Sequence, residues 1–125
     1  MGAFATHSHE IILVYNGNSS IGKQTYAYVS ATHKAVHSID VSKTKITGMQ
    51  WVDIAEKLNL NIIDLIEKKH PEFIKNYGDK QVDLNANDAI KILQNHPETF
   101  IHPVVINGDR SMRITTPSDF VTWLK

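Results

Sequence analysis

Cysteine is absent from the 125 residues of the sequence. Disulfide bonds, thiolate metal sites and any redox or nucleophilic chemistry on a protein sulfur are therefore excluded. Excess charge of one sign is also absent, since 13 Lys and Arg offset 13 Asp and Glu. No net field attracts a nucleic acid backbone or an anionic membrane, so we expect neither as a partner.

Long apolar runs are missing too. The longest, Ile11 to Tyr15, is much shorter than the roughly 20 residues that span a bilayer. No basic segment followed by a long apolar one opens the sequence, which favours a cytoplasmic protein. A chain of 125 residues with 42% hydrophobic composition suits one domain, residues 1–125, and we expect a monomer.

The first third of the sequence has the pattern of a strand, a helix and a second strand. Ile11 to Tyr15 is continuously apolar, as a central strand buried on both faces would be. Asn18 and Ser19 are suitable N-cap residues for a helix from about Ser20 to Thr32. Residues 35–41 would then pair parallel to the first strand, because a helix connects the two.

The middle of the chain, residues 47–100, is predicted to be a helical insertion of several short helices. Thr47 with Gln50, and Asn85 with Asp88, match the capping box at a helix start. The last of these helices is expected to end at His96-Pro97. The side chains expected to face the core are Trp51, Val52, Ala55 and Leu58 in one helix and Ala89, Ile90 and Leu93 in another.

The C-terminal part returns to strands. Residues 102–106 and 110–114 flank Asn107-Gly108, a dipeptide that favours the tight turn of a hairpin. Thr116-Pro117, with Asp119 shortly after, predicts the start of the last helix. The fold class is therefore α/β, in the order β-α-β, helical insertion, β-β-α.

That order resembles the thioredoxin-like fold and, more narrowly, the arsenate reductase (ArsC) and Spx family. The segments that carry the resemblance are ILVYNGNSSIGK, NHPETFIHPVVINGDRS and TTPSDFV, and the similarity covers roughly residues 10–125. It implies a thioredoxin-like four-stranded mixed sheet with a helical subdomain, residues 47–100, inserted between its halves. Residues 1–9 are read as a loose N-terminal tail.

The resemblance also indicates which functional groups this chain lacks. The family's catalytic cysteine, at the N-terminus of the first helix, falls on Ser20, and the second cysteine of CXXC members falls on Lys23. Arginines that hold the oxyanion fall on His102, Thr116 and Glu67. Because a serine hydroxyl has a far higher pKa than a thiol and forms no disulfide with glutathione, the family's reaction cannot follow its usual route here.

Pro103 opens the third strand in this alignment. In thioredoxin-like folds the peptide bond before this proline is cis and lies beside the active loop. The resemblance therefore implies a cis bond between His102 and Pro103, with His102 within a side chain's reach of Ser20. An ordinary edge-strand proline would instead be trans.

Two other motifs compete for the loop after the first strand. Residues 17–23 have the glycine and lysine spacing of a P-loop, but Gln24 stands where a Ser or Thr would bind magnesium, so phosphate binding is the weaker alternative. The G-x-S-x-G pattern of a nucleophile elbow is incomplete in this loop, because its second glycine is absent. Donors at the helix start, with Lys23 nearby, still suit a small anion or a carboxylate.

The seven histidines do not form a recognisable metal motif. His33 and His37 bracket a strand start, no other pair has a helical ligand spacing, and His7 and His9 in the tail would bind a metal only adventitiously. We therefore predict no metal site. Trp51 and Trp123 are interpreted as core residues.

The function predicted from these features is binding without catalysis, by a degenerate relative of the ArsC and Spx family. Its ligand is a protein partner, as Spx-like regulators bind RNA polymerase, or a small anion or thiol. No cofactor is predicted, with glutathione left open as a ligand. The candidate binding residues are Asn18, Ser19, Ser20, Lys23, His102 and Pro103.

An enzymatic alternative also stands. It is a glutathione-dependent activity in which Ser20 donates a hydrogen bond to the thiolate of bound glutathione, as serine does in some glutathione transferases.

Overall fold

A computed structural model describes residues 10–31, 35–78, 84–107 and 110–124. Within them four strands form one mixed sheet in the order β2-β1-β3-β4. The strands are β1 Glu10–Tyr15, β2 Ala35–Asp40, β3 Val104–Asn107 and β4 Arg110–Arg113. β1 pairs parallel with β2 and antiparallel with β3, which pairs antiparallel with β4. The predicted four-stranded mixed sheet, with β1 inside it, is confirmed.

Five α-helices and two short 3-10 helices accompany the sheet in the described residues. The α-helices are α1 Ser20–Ser30, α2 Gly48–Lys57, α3 Pro71–Tyr77, α4 Ala86–Asn95 and α5 Asp119–Leu124. The 3-10 helices are Ile62–Leu65 and Pro97–Thr99. None of the described helices is long and apolar enough to cross a bilayer.

β1 separates two hydrophobic cores because its side chains alternate between the faces of the sheet. Ile11 and Leu13 pack with residues of α1, β3 and α5, including Val29 and Phe120. The other face, which includes Ile12, packs against the helical insertion. All these side chains are at most 4% exposed, so the unbroken apolar run of β1 is explained by burial on both faces.

Local capping rules place the helices of the insertion correctly. Both predicted capping boxes form, at the starts of α2 and α4. Trp51 is 1% exposed and belongs to the core, as predicted, whereas Trp123 is half-buried at the edge of the other core. In α4 all three predicted positions contact the core, although Ile90 is only half-buried there. Ile92, which was not predicted, is buried as well, because the face of α4 that meets α2 is set by tertiary packing.

The C-terminal elements differ from expectation at their boundaries. β3 begins at Val104 and extends to Asn107, which pairs with Arg110 in the ladder and so lies in the strand. The predicted turn residue Gly108 is outside the described residues, as are the tail 1–9, Thr32 and His33. α5 begins at Asp119, whose carboxylate accepts a hydrogen bond from Thr116 N over 3.1 Å, so residues 116–118 form a turn before the helix.

Candidate functional site

The loop between β1 and α1 is held by its own hydrogen bonds. Asn16 is buried and accepts two of them, from Asn18 N through its side chain (2.9 Å) and from Ser19 N through its carbonyl (3.1 Å). Ser19 is the N-cap of α1. Its hydroxyl accepts from Gly22 N over 2.9 Å and its carbonyl from Lys23 N over 3.0 Å.

Asp40, at the end of β2, holds the second residue of this loop, Gly17. Its Oδ1 accepts from Gly17 N (2.8 Å), from Ser42 N (3.0 Å) and from the Ser42 hydroxyl (2.7 Å). Burial by itself would raise the pKa of the Asp40 carboxyl, but these three donors and the charge of Lys43 outweigh burial and lower it. This contact was not predicted from the sequence. The signal that could have found it is the parallel pairing, which brings the carboxyl ends of β1 and β2 to one edge of the sheet.

Replacing Asp40 by Ala should destabilise the protein at neutral pH by about 2–3 kcal/mol, because two backbone N–H groups and a hydroxyl lose their acceptor. The folded-state pKa is lowered, so this contribution exists above the ordinary value of 3.8 and is lost as the pH falls through the folded pKa. Urea unfolding at neutral pH and below about pH 3 measures it. Glu56→Gln, at an exposed carboxylate of α2, is the control. An equal gap between wild type and Asp40→Ala at both pH values would contradict the assignment.

These bonds leave few donors for a ligand. Five of the seven backbone N–H groups from Gly17 to Lys23 already donate within the protein, that of Gly17 to Asp40 and those of Asn18, Ser19, Gly22 and Lys23 to Asn16 or Ser19. The N–H groups of Ser20 and Ile21 donate to no other described residue, as is usual in a first helical turn. A P-loop surrounds a phosphate with free amides, so this loop is poorly suited to that role and offers two donors.

An open cavity of about 410 Å³ is lined in part by Ser20 and Ile21, the residues that carry the two donors. Polar groups on its walls are four hydroxyls and one carboxamide, and its apolar groups are aliphatic. The lining residues are Ser19, Ser20, Ile21, Gln24, Ile101, Thr115, Thr116 and Pro117. Among these described residues no side chain is acidic, basic or thiol-bearing, so the cavity is lined without charge, and its surface is mostly apolar with a few hydrogen-bonding groups.

The two walls of this cavity are joined by Ser19. Its hydroxyl lies 3.2 Å from the Asn16 carbonyl oxygen and 3.3 Å from that of Ile101, and can donate to either. Ser20 is exposed, and its Oγ accepts from Gln24 Nε2 over 3.0 Å. Asn18 and Lys23 are exposed at the same end of α1 but do not line the cavity.

The prediction about the proline was wrong. The bond between His102 and Pro103 is trans, the form that a tertiary amide prefers by about 0.5–1 kcal/mol unless its surroundings reverse the preference. Pro103 is buried, and its carbonyl accepts from Ile114 N over 2.7 Å, which extends the pairing of β3 with β4. Pro103 is thus part of the end of the sheet.

His102 does not line the cavity. Its pKa is lowered by burial and by the charge of Arg113, against a weaker raising effect of Glu67, so the imidazole is neutral at neutral pH. The proximity of His102 to Ser20 stays a prediction. Of the three positions aligned with the family's arginines, Thr116 is the one in the cavity wall.

No protein-family model matches the sequence, and no curated protein matches it. Solved structures do match. An arsenate reductase from Vibrio cholerae is 18% identical and superposes with a TM-score of 0.76, covering 93% of this chain and 98% of that one. This chain has the arsenate reductase fold.

Two further solved structures share the arsenate reductase fold with it. A Yersinia pestis protein provisionally assigned as an arsenate reductase is 14% identical, with a TM-score of 0.75 over 90% of this chain and 98% of that one. A protein named YFFB is 16% identical, with a TM-score of 0.73 over 92% and 99%. The thioredoxin-like arrangement expected from the sequence is therefore confirmed as a fold, in a chain without cysteine.

Sequence reasoning found one side of the cavity and missed the other. Ser19 and Ser20 were predicted from the helix start and the alignment, and both line the cavity. Ile101, Thr115 and Pro117 were not, because they follow in sequence from two distant segments and meet α1 only in the folded chain. The one sequence signal near these residues was the segment TTPSDFV. It predicted the start of the last helix but not that this start lies beside α1.

Proposed function

We propose that the protein acts by binding and not by catalysis, with the cavity at the start of α1 as the site for a small anion or thiol. The observation that carries this proposal is the lining of the cavity. Hydroxyls, one carboxamide and the two N–H groups of Ser20 and Ile21 can recognise a ligand, but no described lining residue can act as acid, base or thiol nucleophile.

Ser20 lacks what a nucleophilic serine needs. A hydroxyl becomes a nucleophile when a nearby base takes its proton. Here the neighbour of Ser20 Oγ is the amide of Gln24, which donates to the oxygen and cannot accept its proton. The hydroxyl proton of Ser20 remains available for donation, which suits recognition of an acceptor.

The ligand class follows from the donors. Two adjacent N–H groups at a helix start, with a hydroxyl beside them, match the oxygens of one carboxylate. The helix dipole of α1 and the ammonium of Lys23 in its first turn favour a negative charge there. Aliphatic surface from Ile21, Ile101 and Pro117 suits a peptide-like body. Glutathione has carboxylates, a peptide backbone and a thiol, and serves as the first probe. The proposal places the protein in the cytoplasm, where glutathione keeps thiols reduced.

Calorimetric titration with glutathione and with S-methylglutathione tests the proposal. Recognition through a carboxylate predicts that both bind with similar affinity, and that Ser20→Ala weakens both. The enzymatic alternative, in which Ser20 stabilises a thiolate, predicts instead that the methylated compound binds worse and that the thiol pKa of bound glutathione falls. If neither glutathione compound binds, and acetate and sulfate do not bind either, the small-ligand proposal is overturned. A protein partner is then the remaining candidate.

We expect no arsenate reductase or disulfide reductase activity. The family's route needs a cysteine, and the sequence has none. Turnover of arsenate with glutathione and glutaredoxin should equal the rate without the protein, measured by coupled oxidation of a nicotinamide cofactor. A rate above that background, abolished by Ser20→Ala, would contradict the binding role.

Installing a thiol should reveal the electrostatics of the site. We expect the thiol of Ser20→Cys to titrate below the ordinary value of about 8.5, because the free N–H groups, the helix dipole and Lys23 favour the thiolate. Ser30→Cys, exposed at the opposite end of the same helix, is the matched control and should titrate at or above that value. Thiolate absorbance against pH measures both, without interference from other cysteines. Equal titration of the two thiols would show that the start of α1 does not favour an anion.

A further inference from the structure

A second polar cluster lies outside the α1 cavity, where α3 meets the 3-10 helix Pro97–Thr99. Glu72, His96 and Glu98 each offer one ligand atom, and these atoms lie within 4.8 Å of one another. All three residues are half-buried. We propose that Glu72, His96 and Glu98 form a binding site for a divalent transition-metal ion such as Zn²⁺. This inference is independent of the proposed function.

The chain turns sharply at the two ligands that are close in sequence. His96 ends α4 with φ −133° and ψ 64°, and Pro97 starts the 3-10 helix directly after it. The turn brings Glu98 Oε1 to 3.0 Å from His96 Nδ1. Thr99, which is fully buried, holds the turn because its N–H and its hydroxyl both donate to the His96 carbonyl, over 3.0 and 2.8 Å. The pair is thus positioned by backbone and by a buried side chain.

Glu72 comes from a different segment. It is the second residue of α3, and its N–H donates to His70 Nδ1 over 3.1 Å. The segment before α3 is tied to the same turn, since Glu67 N donates to the Thr99 carbonyl over 2.7 Å. The carboxylate of Glu72 therefore approaches the pair on a backbone that is fixed independently of it.

The donor set matches a transition-metal ion. Imidazole nitrogen and carboxylate oxygen are ordinary Zn²⁺ ligands with bonds of about 2.0–2.2 Å, which place donors roughly 3.4 Å apart around a tetrahedral ion. Small rotations of these partly exposed side chains can bring ligand atoms that now lie up to 4.8 Å apart to that spacing. Two carboxylates balance the charge of the ion, and three protein ligands leave one position for water. Mg²⁺ prefers oxygen ligands and octahedral geometry, so a site with an imidazole should select against it.

No residue spacing in the sequence predicts this cluster. It uses one histidine and two glutamates, and Glu72 is separated from the other two by the rest of α3 and by α4. His96 and Glu98 alone have a spacing with no helical or strand signature of metal binding. The triad becomes visible only when the helical insertion is folded.

Metal titration of the full chain tests the site in a background carrying His7→Asn and His9→Asn, which removes adventitious binding by the tail histidines. By calorimetry we expect one Zn²⁺ per chain and no comparable Mg²⁺ binding. His96→Asn and Glu98→Gln should each weaken Zn²⁺ binding about tenfold or more. His37→Asn, at an exposed histidine on β2, is the matched control and should leave the affinity unchanged.

A second readout keeps the test decisive if His96→Asn does not fold. Glu98→Gln preserves shape, and circular dichroism checks that each variant is folded. In the background chain, Co²⁺ should give an absorption spectrum of mixed nitrogen and oxygen ligation that Glu98→Gln alters. Unchanged Zn²⁺ affinity in folded Glu98→Gln or His96→Asn, loss of affinity in His37→Asn, or no Zn²⁺ binding in the background chain would each overturn the proposal.

Discussion

Gly22→Ala should destabilise the protein by about 2–4 kcal/mol, because a side chain at this position has no room. A Cβ on Gly22 would lie 2.1 Å from the Asn16 carbonyl oxygen and 2.7 Å from Ser19 Oγ. The first is a backbone atom and the second belongs to the N-cap, so neither can move without breaking the loop bonds described above. Chemical denaturation followed by far-ultraviolet circular dichroism gives the free energy of unfolding.

Gly48→Ala is the control for the Gly22 variant. Gly48 also begins a helix, but a Cβ there would meet side-chain atoms, Ile90 Cγ2 at 3.1 Å and Gln94 Nε2 at 3.7 Å. A small clash is offset by the better helix propensity of alanine, so we expect a change within about 1 kcal/mol. Similar effects of the two substitutions would show that Gly22 is not confined by the loop. If Gly22 were a P-loop glycine, needed only for the close approach of a phosphate, Gly22→Ala would leave the stability of the ligand-free protein unchanged.

Phe100→Ala should cost about 3–5 kcal/mol, the range for removing a buried aromatic side chain. Phe100 is 1% exposed and contacts Trp51 edge to face, with ring centroids 5.0 Å apart. It belongs to the core that joins the sheet, through Ile12 and Val104, to the helical insertion. Met49→Ala, at a side chain of α2 that is 77% exposed, should change stability by less than about 0.5 kcal/mol.

The same variant tests whether the insertion folds together with the sheet. Trp51 lies in the insertion and Trp123 in α5, so Trp123→Phe and Trp51→Phe give fluorescence signals from the two parts. Because one core joins the sheet and the insertion, both signals should follow one transition, shifted equally by Phe100→Ala. Two separate transitions would show that residues 47–100 fold as a unit of their own.

Short-range chemistry was the predictable part of this structure. The capping boxes at Thr47 and Asn85 depend on side chains three residues apart, and both form as expected. The continuous apolar run of β1 indicates burial on both faces of the sheet, whichever elements pack against it. Features that depend on distant residues were missed or misplaced. They include the anchoring of the loop by Asp40 and the wall of the cavity around Ile101.

The errors have the same physical origin. The burial of Ile92 was missed because the depth to which each side chain of α4 is buried depends on the rotation of α4 against α2, which the sequence of α4 alone does not determine. The trans bond at Pro103 departs from what the resemblance implied, since isomer choice depends on the packing around the strand start. The triad of Glu72, His96 and Glu98 forms only when two segments that are distant in sequence meet in space.

The hydrogen bonding of residues Gly17 to Lys23, which form the end of the loop and the first turn of α1, determines how a ligand would meet the protein. Five of its amides are satisfied by the chain itself, so the loop has its final shape before anything binds. A ligand then loses its own freedom but does not have to order the loop. Association should accordingly be a single step limited by encounter, with little backbone rearrangement, and differences in affinity among ligands should appear mainly in their rates of dissociation.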